Sequence, residues 1–536
     1  MPQYQDLGDN RIRITFNSLD AGISRAVYGG AEGQIAACRD VDLYTSPGQI
    51  RSARQISITP VAGPGGITAI SAYAVYQSTN ADNSKNFLVW SNNVSGSPGT
   101  YQTVMKSSSG DLGTTLTTVA TAASASGLSM ATSATPFLFM MNKPIEFSGS
   151  LYWPSWISAN SNYALSTIVN DTTGYDQFKF ATGGGYTNFV GPVAYKEYFY
   201  YANGNVLYRN DGTTETATLT LQTHLDIKSI TIVNLDGNDW LGLAVDYKNG
   251  SGNSFVYIYD GISTFLRQII DTNAIGIQSV RQLRNSLVTI HVDNPYGGGN
   301  NDAQDNYLRI KTWDGGGRFN EVYSLLLKVG FRNQPFFVRD AATVVVNDGI
   351  IFGLDGATNS PTSGDTAAMY EFRLPNILNE KYIVNTGTIT DQLDFKNIAY
   401  IRNFLYSFFV NNTTNANNFS TDQSGSYSGN CMIRTLPFRF DIRHPAVIKL
   451  IEGQVKAMPV GTNISAVHYP NQGVSALIGV VNATSQRTFR FTNENTAEFP
   501  ISDIDQIEFR IPGINTTTRP ELIMPFIVEA EIRKSN

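Results

Sequence analysis

The sequence predicts an all-β protein, a β-propeller of six or seven blades followed by a C-terminal β-sandwich. Three observations carry this expectation. Six Asp-Gly pairs (211–212, 236–237, 260–261, 314–315, 348–349 and 355–356) sit beside runs rich in Val, Ile, Tyr and Phe. An Asp-Gly step readily takes the positive φ values of a tight hairpin turn, so the flanking runs read as paired antiparallel strands. Strand clusters recur, opening near Ile67, Pro136, Tyr186, Ile227, Ile277, Pro335 and Phe395, at intervals of about 40 to 70 residues that overlap the period of propeller blades. After about residue 432, short strands continue without Asp-Gly turns.

Residues 1–60 are expected to hold strands that close or abut the propeller, with Arg11–Phe16 followed by Asp40–Tyr44 and Gln49–Arg51 around a Pro-Gly turn. Residues 61–431 form the predicted propeller. Its clearest hairpins are 198–201 with 206–209, and 255–259 with 265–269 across Asp260-Gly261. One whole blade is predicted from 230–235, 240–245, 255–259 and 265–270. The Ser/Thr/Ala/Gly-rich stretch 107–135 and the Asn/Ser/Thr-rich stretch 411–429 read as long loops. Residues 432–536 supply the predicted sandwich, with strands at 437–441, 446–451, 464–469, 475–480, 488–491, 506–511 and 527–532.

A chain of 536 residues exceeds what one core supports, so more than one domain is expected. Only 15% of residues are charged, and the formal net charge is −6. That balance gives no basic footprint for gripping nucleic-acid phosphates. The start, Met-Pro-Gln-Tyr-Gln-Asp, lacks the basic and apolar regions of a signal peptide. The longest apolar runs, such as 136–141, are shorter than the ~20 residues of a membrane helix.

Candidate chemistry is sparse. Cys38 and Cys431 lie in no metal-binding spacing and read as two buried thiols, which approach one another if the ends of the array meet. His224, His291, His444 and His468 show no paired spacing and read as structural. A glycosidase needs two carboxylates flanking the sugar bond. Asp211, Asp236, Asp260, Asp314 and Asp355 are nominal candidates, but an Asp-Gly turn already explains each. Asp40 with Asp42, and Asp302 with Asp305, lack the order of a calcium loop. Gly183–Gly185, Gly297–Gly299 and Gly315–Gly317 lack the Lys-Ser/Thr of a phosphate loop and read as turns. No catalytic residue, metal or cofactor is predicted. Tyr152, Trp153 and Trp156 form the one aromatic cluster suited to an interface or a sugar platform; blade core is the competing reading.

The opening pattern, Ile12–Phe16, Gly22–Ser24, Ala37–Leu43 and Ser46-Pro47-Gly48 through Arg54, resembles the start of propeller-type structural proteins of tailed bacteriophages. Phe438–Asp441, His444–Lys449, Ile464–Tyr469 and Glu508–Ile511 are similar to the sandwich that closes many such proteins. The resemblance is nearest to podovirus tail nozzle and tail hub proteins. It implies a non-enzymatic virion subunit, made in the bacterial host cytoplasm and carried in the tail. Such a subunit forms a homo-oligomeric ring, hexameric in the nozzle proteins, around the DNA channel, or a platform for fibres. The implied partners are its own copies, other tail proteins and passively contacted DNA, with no membrane. An acidic lumen would keep DNA from sticking. A receptor-binding or fibre-adaptor module and a propeller glycosidase acting on cell-surface polysaccharide are the alternatives.

Overall fold

A computed structural model describes the chain except residues 1–2, 25–32, 44, 47, 59–69, 80–84, 94–100, 108–116, 122–127, 130–143, 158–161, 170–174, 180–188, 249, 251, 264, 294–305, 328–336, 356–367, 375–376, 382, 385–392, 412–415, 423–424, 493–498, 514–517 and 535–536. Among the described residues every regular element is a strand. The chain divides into two units. One comprises 1–57, 370–384 and 422–536, and the other 58–369 and 385–421.

The second unit is a propeller. Antiparallel sheets follow one another along the chain, each a meander whose strands pair in sequence order. Three complete four-stranded examples span Phe189–Thr220, Leu225–Asp271 and Ile277–Leu327. The first strand of each packs against the first strand of the next, through Phe189–Tyr195, Leu225–Leu235, Ile277–Leu283, Phe337–Val346 and Leu393–Ile401. Leu393–Ile401 then packs against Ile70–Thr79, which closes the ring. The observed first strands begin within a few residues of the predicted openings at Ile67, Tyr186, Ile227, Ile277, Pro335 and Phe395.

A blade is buried on both faces, and its inner strands therefore read as continuous apolar runs rather than alternating ones. Leu241, Leu243 and Val245 turn towards Tyr195, Tyr200 and Leu207 of the preceding sheet. Ala244 and Val256, on the opposite face, meet Ile277, Val280 and Trp313 of the following one. Gly242 belongs to this packing, since a Cβ there would come within 2.8 Å of Val233.

Turn chemistry matches the sequence at some positions and departs from it at others. Asp236 and Gly237, with φ of 55° and 76°, join Leu225–Leu235 to Asn238–Tyr247 as a two-residue turn. Asp260 does not make so tight a hairpin. Its carboxylate accepts the amides of Ile262 and Ser263, both at 2.8 Å, and the return strand begins only at Gln268. The polar stretches read as loops contain outer strands as well. Thr117–Thr121 pairs with Tyr101–Ser107, and Ala416–Thr421 pairs with Phe404–Asn411. Strand pairing does not require apolar residues at every position, and a polar composition therefore concealed them.

The first unit is the sandwich, and its membership corrects the expected boundary at 432. Arg11–Phe16 pairs along its length with Glu521–Ile532, and Ile35–Arg39 pairs with Met432–Thr435. The N-terminal strands before residue 53 are thus sandwich strands. One sheet runs in the order Gln3–Gly8, Arg11–Phe16, Glu521–Ile532, Ala446–Val455, Thr488–Thr492. The other contains, in order, Ile377–Lys381, Ile35–Arg39, Met432–Thr435, Asp505–Arg510, Ile464–Pro470 and Ala476–Val481. Phe509 of the second sheet meets Phe526 and Phe489 of the first, edge to face at 4.9 and 6.0 Å. Residues 437–441, expected as a strand, make only a bridge between Phe438 and Asp505.

Segment 370–384 was expected inside the propeller array and lies in this unit instead. The Asn379 side chain donates to the Val41 carbonyl at 2.8 Å, and Arg39 pairs with Glu380 at 2.9 Å. Charge is divided unequally between the units. Nineteen Lys and Arg balance nineteen Asp and Glu in the sandwich, whereas the propeller has nineteen against twenty-five, so the formal −6 resides in the propeller.

Candidate functional site

Among the described residues of the propeller, buried polar side chains gather where its first strands carry bulges. The register shifts at Ile227/Ser229, Ile277/Ser279, Val338/Thr343 and Phe395/Asn397 all fall near the start of a first strand. Three of these share a pattern of apolar, long polar, small polar, apolar: Ile227-Lys-Ser-Ile230, Ile277-Gln-Ser-Val280 and Phe395-Lys-Asn-Ile398. A bulge sets an extra residue against one partner and re-aims the neighbouring side chains. Here the small polar residue is buried each time.

These side chains cross the seams between blades. Ser229 Oγ accepts the Val280 amide at 3.2 Å and Arg281 Nη1 at 3.2 Å. Ser279 Oγ donates to Asp340 Oδ1 at 2.9 Å, and Arg281 donates to the same oxygen at 2.7 Å and to the Asp340 carbonyl at 2.8 Å. Asp355 accepts Arg339 Nε at 3.0 Å on one oxygen and the Phe395 amide on the other. Asp355 was expected to serve an Asp-Gly turn. It is instead a buried strand residue whose carboxylate joins two blades. The turn reading holds for Asp211, whose carboxylate accepts the Thr213 and Thr214 amides and the Thr213 hydroxyl, contacts that lower its pKa.

One pair of carboxylates deserves comparison with a hydrolase. Asp226 and Asp246 stand directly opposite on neighbouring strands, and their side chains therefore share a face. Burial raises the Asp246 pKa, against the hydroxyl of Ser254 at 2.9 Å and the charge of Lys228. Lys228 lies 3.4 Å from Asp226. Both carboxylates are nearly inaccessible, at 2% and 0% exposure, which leaves no approach for a glycosidic oxygen. Ser254 Oγ also accepts the Ile277 amide of the next blade at 3.1 Å, and this cluster too holds a seam.

The remaining sequence candidates are dispersed. Tyr152 is buried, its ring 4.6 Å from that of Phe199 and 6.4 Å from that of Phe147, so it packs as blade core and does not serve as an accessible anchor. The side chains of Trp153 and Trp156 lie outside the described residues, as do Asp302, Asp305, Gly183–Gly185 and Gly297–Gly299. His224 stacks on Tyr247, His291 is sealed beneath Thr289 and the Ile275 carbonyl, His444 joins the Asp441 turn, and His468 bonds Asp505. In the sandwich, Asp42 Oδ2 accepts Arg51 and Arg519 at 3.1 and 3.2 Å, while Thr45 bonds both carboxylate oxygens. The cations at Asp42 are guanidinium groups.

Cys38 stands opposite Ile433, and Cys431 precedes Ile433 by two residues, which puts the two thiols on one face of the sheet. Sandwich pairing brings them near, not the ends of the propeller array. Both are free and buried, and burial raises both pKa values. Neither is expected to react with iodoacetamide in the folded protein, and both should react in denaturant; mass spectrometry of the alkylated chain checks this.

No protein-family model matches the chain, and no curated protein matches it. Solved structures with similar folds include the Pan2 WD40 domain of Neurospora crassa, at 10% identity and a TM-score of 0.39, covering 69% of this chain and 94% of that one. The sialidase of Trypanosoma rangeli aligns at 11% identity and a TM-score of 0.35, covering 91% and 97%. An α-L-arabinanase of Penicillium chrysogenum aligns at 10% and 0.31, covering 68% and 96%.

Proposed function

We propose that the chain is a non-enzymatic structural subunit of a tailed-phage particle, a nozzle or hub protein that surrounds the DNA path or carries fibres. The observation that supports this reading is where the propeller spends its buried polar groups. Ser229, Ser279, Arg281, Asp340 and Asp355 hold one blade to the next, and the facing carboxylates Asp226 and Asp246 are closed over by the same seams. A ring braced in this way resists shear between blades, a property suited to a load-bearing part. The acidic propeller fits contact with DNA that must not adhere.

Particles assembled without the protein provide the test. Added purified chain is expected to co-sediment with them and to restore infectivity. Failure to bind, together with release of reducing sugar from host surface polysaccharide, would replace this reading with a glycosidase.

A further inference from the structure

The six Asp-Gly pairs of the sequence carry a reaction of their own as well as a turn preference. The backbone nitrogen of the glycine attacks the side-chain carboxyl carbon of the aspartate. A C–N bond closes a cyclic imide, and the carboxyl hydroxyl leaves with the amide proton as water. Water then reopens the ring, and opening at the main-chain carbonyl leaves the chain running through the side-chain carbon as an isoaspartyl linkage. The water lost is regained, nothing is oxidised and no co-reactant is needed. Glycine favours the attack because it has no Cβ to crowd the nitrogen. A folded chain permits it only where the carboxyl group can swing onto that nitrogen and the backbone can move with it.

Five of the six pairs are restrained against this motion. The Asp211 carboxylate is clamped by the amides of Thr213 and Thr214, and the Gly212 amide is already bonded to Asn210 Oδ1 at 2.7 Å. The Asp260 carboxylate is clamped by the Ile262 and Ser263 amides, and a Cβ on Gly261 would stand 2.5 Å from the Tyr200 hydroxyl, so the backbone there is hemmed in. Asp236 and Asp348 lie in two-residue turns closed on both sides by paired strands, Leu235 with Asn238 and Val346 with Gly349. Their carboxylates bond Arg267 and Arg284. Asp355 is buried, one oxygen on Arg339 and the other on the Phe395 amide.

Asp314-Gly315 has none of these restraints. It opens the loop 314–319, which joins Asn306–Trp313 to Asn320–Leu327 and runs on as Gly315-Gly316-Gly317. A Cβ built on any of these glycines would meet nothing within 4 Å. Gly315 has a φ of 100°, and among the described residues its amide makes no hydrogen bond. Asp314 is exposed, and its carboxylate accepts only the hydroxyl of Ser286 among the described residues.

We propose that Asp314 is the site at which the folded protein spontaneously isomerises to isoaspartate. Trp313, 5% exposed, donates through Nε1 to the Gly316 carbonyl and packs with Phe319 in the cluster that joins the sheets of 225–271 and 277–327. Isomerisation lengthens the main chain by one carbon between that indole and the carbonyl it bonds. The seam between these two blades therefore loosens as the protein ages.

The test is to incubate the folded full chain for weeks in mildly alkaline buffer, digest it in acid and map the linkages by electron-transfer dissociation mass spectrometry, which separates isoaspartate from aspartate. Isoaspartate at position 314 is expected to exceed that at each of the other pairs several-fold. In guanidinium chloride all six pairs should react at similar rates, because the fold no longer protects five of them. Asp314→Glu, at an exposed position, should remove the signal and leave the other pairs as they are. Folded protein that isomerises first at another pair, or at none while the denatured chain reacts, overturns the proposal. A denatured chain in which position 314 still leads overturns it also, since the selectivity would then come from local sequence and not from the fold.

Discussion

Replacement of Asp355 by alanine is expected to destabilise the propeller by about 3–5 kcal/mol, the usual cost of removing one partner of a buried ion pair. Arg339 and Asp355 side chains are 2% and 3% exposed, so the guanidinium loses its carboxylate where water cannot replace it. The Phe395 amide of the next blade loses its acceptor in the same step. Arg339→Met combined with Asp355→Ala removes the stranded charge as well and should recover a large part of the loss. Asp211→Ala, at an exposed turn, should change stability little. Urea unfolding followed by tryptophan fluorescence measures all three, and equal effects at positions 355 and 211 would rule out the seam role of Asp355.

The second large effect is acid lability through His291. This residue is wholly buried; its Nδ1 donates to the Ile275 carbonyl at 3.1 Å, and Nε2 therefore accepts from Thr289 Oγ1 at 2.9 Å. Burial above all, helped by Lys311 and Arg309, lowers its pKa to about 3. The unfolded chain, with an ordinary histidine near 6.5, binds this proton first. Stability from the neutral ring is complete above pH ~6.5 and is lost as the pH falls, by about 1.4 kcal/mol per unit until the folded value near 3 is reached. His291→Gln should flatten that part of the profile between pH 6.5 and 4. Denaturation midpoints over this range for both proteins check it, and parallel profiles would exclude His291 as the source.

Local structure was legible wherever local chemistry determines it. The Asp236-Gly237 turn, the hairpin of 198–203 with 206–210 and the openings of most blades follow from dihedral preference and from apolar runs buried on both faces. Pairing between distant segments was not legible. Arg11–Phe16 looks the same whether it completes a blade or a sandwich, because a strand's partner is selected by the packing of the finished sheet. The strand Ile377–Lys381 likewise reads as one more array strand, and its contacts with 39–41 tie it to the sandwich strands. For the candidate site, the bulge pattern at 227–230, 277–280 and 395–398 was visible as residues but not as a repeat. It is four residues long and recurs at unequal spacing. Asp355 was misread because an Asp-Gly pair at the end of a strand is indistinguishable in sequence from one within a turn.

The pairing of Arg11–Phe16 with the last strand also governs how the polypeptide is made. Arg13 and its partner Glu529 are 516 residues apart. At an elongation rate of ~5–20 residues per second, the nascent N-terminal strand waits roughly 25 to 100 seconds on the ribosome before the strand that completes its sheet emerges. During that interval the propeller segments can fold, while Ile12, Ile14 and Phe16 stay exposed to solvent, to neighbouring nascent chains and to chaperones. Yield in a heterologous host should therefore depend on holdase capacity and growth temperature more strongly than the stability of the finished fold would suggest.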